Sequence, residues 1–196
     1  MRPRLAPLSD TKVSDPSGVQ ALSLAPRFRA WVALGGNVGE VQARLRSAVT
    51  SLGELPGTCV ERVSSLYRTR PVDAGGPDFL NAVVALDTAL APEELMRALL
   101  RTELAHDRER PHVNAPRTLD LDLLHHGGAT RSTSTLTLPH PRQHSRAFVM
   151  VPLAELVAAL PPRADSPTPD VLSPEKRAQL GDEQGIERIC GPNWLD

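Results

Sequence analysis

The sequence predicts an α+β domain in which a βαββαβ run folds into one antiparallel sheet. Three observations carry this: apolar positions at period two mark strands, 3.6-residue spacing marks two helices between them, and Gly/Pro-bearing loops separate the segments. AWVALG (30–35) has the pattern of a short buried strand, and after the turn GGNVG the residues Val41, Leu45, Ala48, Val49 and Leu52 fall at helical spacing. TCVERVSSLYRT (58–69) and FLNAVVALDT (79–88) read as strands rich in β-branched residues, joined by the loop RPVDAGGP into a long hairpin. Pro92 opens a second helix, PEELMRALLRTEL, with acids in its first turn and Leu95, Leu99 and Leu100 along one stripe. The polar loop AHDRERPHVNAP leads to TLDLDLLH, the fourth strand of the core. Right-handed crossovers fold this order into a ferredoxin-like sheet with both helices on one face, so further elements must cover the other. Candidates are TLTLP (135–139) as a fifth strand, RAFVMVPLAELVAAL (146–160) as a helix broken near Pro152, and GIERIC (185–190) as an edge strand, giving α/β/α layers. Residues 161–184 carry no assignment.

At 196 residues the chain is long enough for one domain with a substantial core. The domain is expected over 30–196, with 1–29, rich in Pro, Ser and charge, as a mobile extension. Lys plus Arg (22) balance Asp plus Glu (23), so no global field would hold a nucleic acid, and an anionic ligand must be met by local clusters. Cys59 and Cys190 lie far apart without metal-ligand spacing, which fits a reducing cytoplasm. No apolar signal-type region or membrane-length run occurs. The expectation is a soluble cytoplasmic monomer acting on small molecules, with no nucleic-acid or membrane partner.

The stretch RTLDLDLLHHG (117–127) puts Asp120 and Asp122 on one strand face, about 7 Å apart, where two like charges repel. Such a rigid pair suits hard divalent cations that cancel the repulsion. Mg²⁺ fits best, because it takes one or two protein carboxylates and completes its shell with water and substrate phosphates. Taken alone, the pair also reads as a solvated face matched by Arg117 or a neighbour. Arginines surround it: Arg108, Arg110 and Arg117 bracket the preceding loop, and Arg142 and Arg146 follow His140. Guanidinium forks match phosphate oxygens, so a bound polyphosphate would satisfy metals and arginines together. GGNVG is read as a tight strand-to-helix turn, since it lacks a P-loop lysine and a full dinucleotide fingerprint. Phe79, Asn81 and Phe148 could sandwich and read a planar heterocycle, though core packing is the default for each Phe alone. His125 and His126 point to opposite faces of a strand and form no chelating pair.

In VALGGNVGE, SSLYRTRPV, PDFLNAVVALDT, APEEL, RTEL, RER, PRTLDLDLL and LPHPRQHSRAFVMVPLAEL, the chain resembles the 6-hydroxymethyl-7,8-dihydropterin pyrophosphokinase family of folate biosynthesis, from Val32 to about Leu156 and in the family's order. The resemblance implies ATP as co-substrate, transfer of its terminal pyrophosphate to the pterin's hydroxymethyl oxygen, and release of AMP. It implies that Asp120 and Asp122 hold a pair of Mg²⁺ ions and that no protein nucleophile is needed. Phe79 and Phe148 would stack on the pterin, while Asn81 and the backbone around Thr69, Pro71 and Val72 read its edge. Glu103, Arg117, His140 and Arg146 would line the ATP site, with Arg108 and Arg110 approaching the phosphates; Arg108, Arg117, Asp120 and Asp122 form the catalytic set. Departures from the family pattern are Gly36 where serine is usual, Arg70 where proline is common, Asp107 and Ala115 where glycine is usual, and Asn114 where some members carry tryptophan.

Two other classes share features with this reading. An RNA-binding module of βαββαβ order stacks bases on strand aromatics in a basic field, which three Phe and one Tyr in a near-neutral chain do not supply. A Mg²⁺-dependent phosphatase or nucleotidyltransferase would use the same acids and differs in its products.

Overall fold

The computed structural model describes residues 25–71, 76–106 and 117–196. In chain order these form β1 (Phe28–Gly36), α1 (Val41–Gly53), β2 (Thr58–Val63), β3 (Leu66–Thr69), β4 (Phe79–Thr88), α2 (Pro92–Ala105) and β5 (Asp120–His126). The short strands β6 (Arg131–Ser132) and β7 (Thr137–Leu138) follow, then α3 (Ala147–Ala159), α4 (Pro174–Gln184) and β8 (Glu187–Cys190). One-turn 3₁₀ helices occupy Gln143–Ser145 and Pro192–Leu195. The main sheet runs β5-β1-β4, with β2 and β3 sharing the outer edge of β4 and β8 beside β3, every pairing antiparallel. This is the expected α+β core.

Strand alternation divides the interior. Ala30, Val32 and Leu34 of β1, with Val84 and Leu86 of β4 and Leu121 and Leu123 of β5, face α1 through Leu45, Ala48, Val49 and Leu52 and α2 through Leu95 and Leu99. Trp31 and Ala33, with Val83, Ala85 and Leu124, face Val149, Met150, Leu153 and Leu156 of α3. The second helix begins as expected at Pro92, where the Glu94 side chain accepts the Ala91 N–H at 2.9 Å, half of a capping box. Leu100, expected on its apolar stripe, is 39% exposed.

Three expectations are corrected, and one unassigned segment gains a structure. The strand over 58–69 is split at Ser64–Ser65, because distant partners take its polar groups: Glu155 accepts from the Ser65 N–H and hydroxyl, and Trp194 Nε1 donates to the Ser64 carbonyl at 2.8 Å. The helix through Pro152 is continuous. An interior proline costs about 3 kcal/mol, and four buried apolar side chains at about 2 kcal/mol each exceed that. The segment expected as a fifth strand supplies only β7, paired with β6 in a separate two-stranded sheet. Residues 174–184, left unassigned, form α4, with Ser173 capping its start and Gly185 ending it at φ 62°.

Candidate active site

On the α3 face the side chains of β1 taper toward its end, from Trp31 to Ala33 to Gly35. Ala33 stands between Val83 and Asp122, and Gly35 between Asn81 and Asp120. A Cβ at Gly35 would lie 2.9 Å from Asn81 Oδ1, so only glycine leaves that amide in place. The taper opens a cavity of about 420 Å³ floored by Ala33 and Gly35 and walled by Arg117, Asp120 and Asp122 on one side and Phe79, Asn81 and Thr69 on the other. Arg146 and Phe148, at the start of α3, with Leu34, Arg70, Arg142, Ser145 and Gln184 complete its lining. Its volume suits a small molecule, within the roughly 300–1,000 Å³ of such sites.

The acids alternate with Leu119, Leu121 and Leu123, which anchor the strand in the other core, so both carboxylates are turned to the cavity. A bulge at Leu124, between the pairs Val32–Leu123 and Trp31–His125, ends the alternation. Glu103 is 1% exposed and accepts the Leu121 N–H at 2.7 Å; it thus holds the backbone between the two acids. Arg117 donates to Asp120 Oδ2, and Arg146 Nη1 lies 3.1 Å from Asp122 Oδ2. His140 Nε2 is 3.9 Å from the same oxygen. Burial pushes His140 below the ordinary imidazole range and the neighbouring arginines add to this, while Asp122 opposes it.

Asn37, in the β1–α1 turn, joins the walls. Its Oδ1 accepts the Arg117 N–H at 2.9 Å, its own N–H donates to the Arg117 carbonyl at 2.9 Å, and its Nδ2 donates to the Pro77 carbonyl at 3.2 Å. GGNVG therefore ties the entries of β5 and β4 together. Asn81 Nδ2 donates to Thr69 Oγ1 at 2.9 Å, which turns its Oδ1 toward the cavity floor. The Arg146 guanidinium carbon is 5.4 Å from the Phe148 ring centroid.

Of the residues singled out in the sequence, Thr69, Phe79, Asn81, Arg117, Asp120, Asp122, Arg146 and Phe148 meet at this cavity. His140 stands behind Asp122, and Glu103 supports the strand from below. Pro71 is not among the residues that line the cavity, and Val72, Arg108 and Arg110 lie outside the described residues. His125 and His126 have separate partners, Gln143 Oε1 at 2.9 Å and the Leu90 carbonyl at 2.8 Å. Sequence reading missed Asn37, Ser145 and Gln184; for Asn37 the signal was a polar residue in a glycine turn, and for Gln184 the helix start Ser-Pro-Glu with glycine at the far end.

A sheet with paired acids, facing arginines and two aromatic rings around one small cavity belongs to the class of enzymes that transfer charged groups between small molecules. The chain belongs to the 7,8-dihydro-6-hydroxymethylpterin-pyrophosphokinase (HPPK) family, whose model matches residues 31–158. It is 44% identical over 127 residues to the 2-amino-4-hydroxy-6-hydroxymethyldihydropteridine pyrophosphokinase of Synechocystis sp., covering 65% of this chain and 65% of that protein. It is 41% identical over 162 residues to the Methylorubrum extorquens protein of the same name, covering 82% of this chain and 98% of that one. The HPPK-DHPS A437G crystal structure from Plasmodium falciparum, with pteroate, shares the fold at TM-score 0.51 and 11% identity, over 82% of this chain and 43% of that one.

Proposed function

We propose that this chain transfers the terminal pyrophosphate of ATP to the hydroxymethyl oxygen of 6-hydroxymethyl-7,8-dihydropterin, giving AMP and the pterin diphosphate, in folate synthesis. The observation that carries the reading is the meeting of Asp120 and Asp122, with their arginines, and Phe79, Asn81 and Phe148 around one cavity; family membership supports it. The pterin lies between Phe79 and Phe148, with its amide edge on Asn81. Arg117 and Arg146 leave the carboxylates for the ATP phosphates, where their forks neutralise charge on the transferred group. Positioning of the pterin hydroxyl in line with the β-phosphorus then does most of the catalytic work.

Among the described residues no group of three or more His, Cys, Asp or Glu converges. A pair of carboxylates beside space for phosphates is the donor set that Mg²⁺ accepts. Asp120 and Asp122 would hold a pair of Mg²⁺ ions, which supply charge neutralisation when bound. Glu103 keeps the two acids in register, and His140, with Arg108 and Arg110, would act on the ATP phosphates. The near-balanced charge supports small-molecule ligands over nucleic acid, the free cysteines Cys59 and Cys190 support a reducing cytoplasm, and no helix among the described residues is long and apolar enough to cross a membrane.

Chromatography of the nucleotides after incubation with ATP, Mg²⁺ and the pterin alcohol tests the reaction. AMP is expected in equal amount to the pterin diphosphate. Accumulation of ADP would mean transfer of one phosphoryl group, and released pyrophosphate would mean nucleotidyl transfer; either sinks the reading.

A further inference from the structure

Gln184, the last residue of α4, lies outside the residues 31–158 matched by the family. Its amide grips the chain on both sides of Arg146. Oε1 accepts the Ala147 N–H at 2.9 Å, and Nε2 donates to the Ser145 carbonyl at 2.8 Å. Ala147 opens α3, so the first bond satisfies one of the N–H groups that a helix start leaves unpaired, and the Arg146 side chain at the cap position makes no such bond. The next residue, Gly185, takes the left-handed conformation at φ 62°. A Cβ there would sit in ordinary contact with the Arg70 side chain, 3.4 Å from its Nε, so this corner lies against the residue that follows β3. The Gln184–Gly185 corner thus touches both the start of α3 and the end of β3, and Gln184, Ser145, Arg146, Phe148 and Arg70 all line the cavity.

We infer that Gln184 is a positioning residue for the pterin half of the site, fixing the Phe148 ring by clamping the turn 145–147. This rests on the reading of the cavity given above. Arg146 has partners of its own, Asp122 at 3.1 Å here and the ATP phosphates in the proposed complex, whereas Phe148 takes its direction from the first turn of α3. Loss of the clamp therefore falls on the stacked heterocycle more than on the nucleotide. The clamp needs an amide, because one atom must accept and the other donate; a carboxylate would set an oxygen against the Ser145 carbonyl.

Steady-state kinetics of the parent, Gln184→Met and Gln184→Glu, with ATP and pterin alcohol varied separately, test this. Methionine keeps the length and removes both bonds; glutamate keeps the acceptor and removes the donor, and carries the test if the methionine variant fails to fold. The KM for the pterin should rise roughly tenfold, the scale of a lost positioning contact, while kcat and the KM for ATP stay within about threefold of the parent. Gln179→Met, on the same helix in the exposed pair with Glu183, should change none of these constants. Pterin KM values within about twofold of the parent in both Gln184 variants overturn the inference. So does a uniform loss of kcat and of both affinities in step with a lower melting temperature, since that marks a merely structural helix contact. A parent that turns over no pterin overturns the proposed function itself, and the inference with it.

Discussion

Two arginine–carboxylate clusters stand on the same face of the sheet, at opposite ends of β1, and they differ in what surrounds them. At the start of the strand Arg29 donates to Glu61 at 2.5 and 3.1 Å and to the Pro161 carbonyl at 2.8 Å, with its guanidinium 5.7 Å from the Trp31 ring. Asp87 is shared by Arg27 at 2.5 Å and Arg163 at 2.8 Å. Burial opposes its ionisation, but the two arginines outweigh that and hold it below the usual carboxylate range. Ser166 seals this end by accepting the Arg29 N–H at 2.8 Å. At the other end Asp120 and Asp122 pair with Arg117 and Arg146 at the wall of an open cavity. The same residue types thus serve two ends: partners gathered around the buried Arg29 and lining no cavity hold the fold, and partners facing a cavity are positioned to exchange with a charged ligand.

Breaking the open cluster should give the largest functional effect. Asp120→Asn or Asp122→Asn is expected to lower turnover by at least roughly a hundredfold, the scale of a lost preorganised electrostatic contact. Excess Mg²⁺ should restore it only in part, and near-normal turnover at ordinary Mg²⁺ would remove that aspartate from the metal site. Breaking the sealed cluster should do the opposite. Arg29→Leu leaves Glu61 with Arg163 at 3.5 Å, and urea unfolding should show a loss of about 3 kcal/mol while kcat of the folded fraction stays near the parent's. Equal effects of the two substitutions on kcat would erase the distinction.

How much of this contrast was legible in the chain depended on how local its causes are. The alternation LDLDL identified the acid pair because strand geometry alone decides which side chains share a face. The helix 92–105 was equally local, with its proline and acids at one end. The break at Ser64–Ser65 was not, since its causes are Glu155 and Trp194, 90 and 130 positions away in sequence. Helix α4 shows mostly polar residues with only Gly181 buried, so apolar periodicity gave no signal although both of its ends were marked. The sealed cluster was illegible for the same reason as the serine break: Arg163 reaches Asp87 across 76 residues.

Gly36 sharpens the comparison at the edge of the open site. Serine is usual there in the family that the sequence resembles, yet here a Cβ would meet the Thr118 carbonyl oxygen at 2.6 Å. Gly36→Ser is expected to cost about 2 kcal/mol in thermal unfolding and to lower turnover, because Thr118 leads directly into Asp120. An unchanged melting temperature with full activity would show that the β5 entry yields easily.

A last effect concerns pH. Burial lowers His125 and His126 below the ordinary value of 6.5. Above 6.5 neither folded nor unfolded chain is charged at these rings. As the pH falls through 6.5 the unfolded chain binds protons that the folded chain refuses, so stability falls, by at most about 1.4 kcal/mol per histidine per pH unit. Carboxylates such as Asp87, held below 3.8, titrate in a lower window. Denaturant melts between pH 7 and about 5 should show this slope, and His126→Gln should flatten it; a flat parent profile would contradict the assignment.

Melting of the parent and Asp122→Asn, each alone and with Mg²⁺ and a non-hydrolysable ATP analogue, tests partner exchange most directly. If the acid pair is tolerated for its ligand, the variant alone melts level with or above the parent, by on the order of 1 kcal/mol at most, because a like-charge strand pair is relieved. The parent gains stability with the Mg²⁺-bound analogue through binding to the folded state, and the variant gains little. A variant that melts lower alone yet keeps the parent's full gain would show that Asp122, like Asp87, is a structural ion-pair partner.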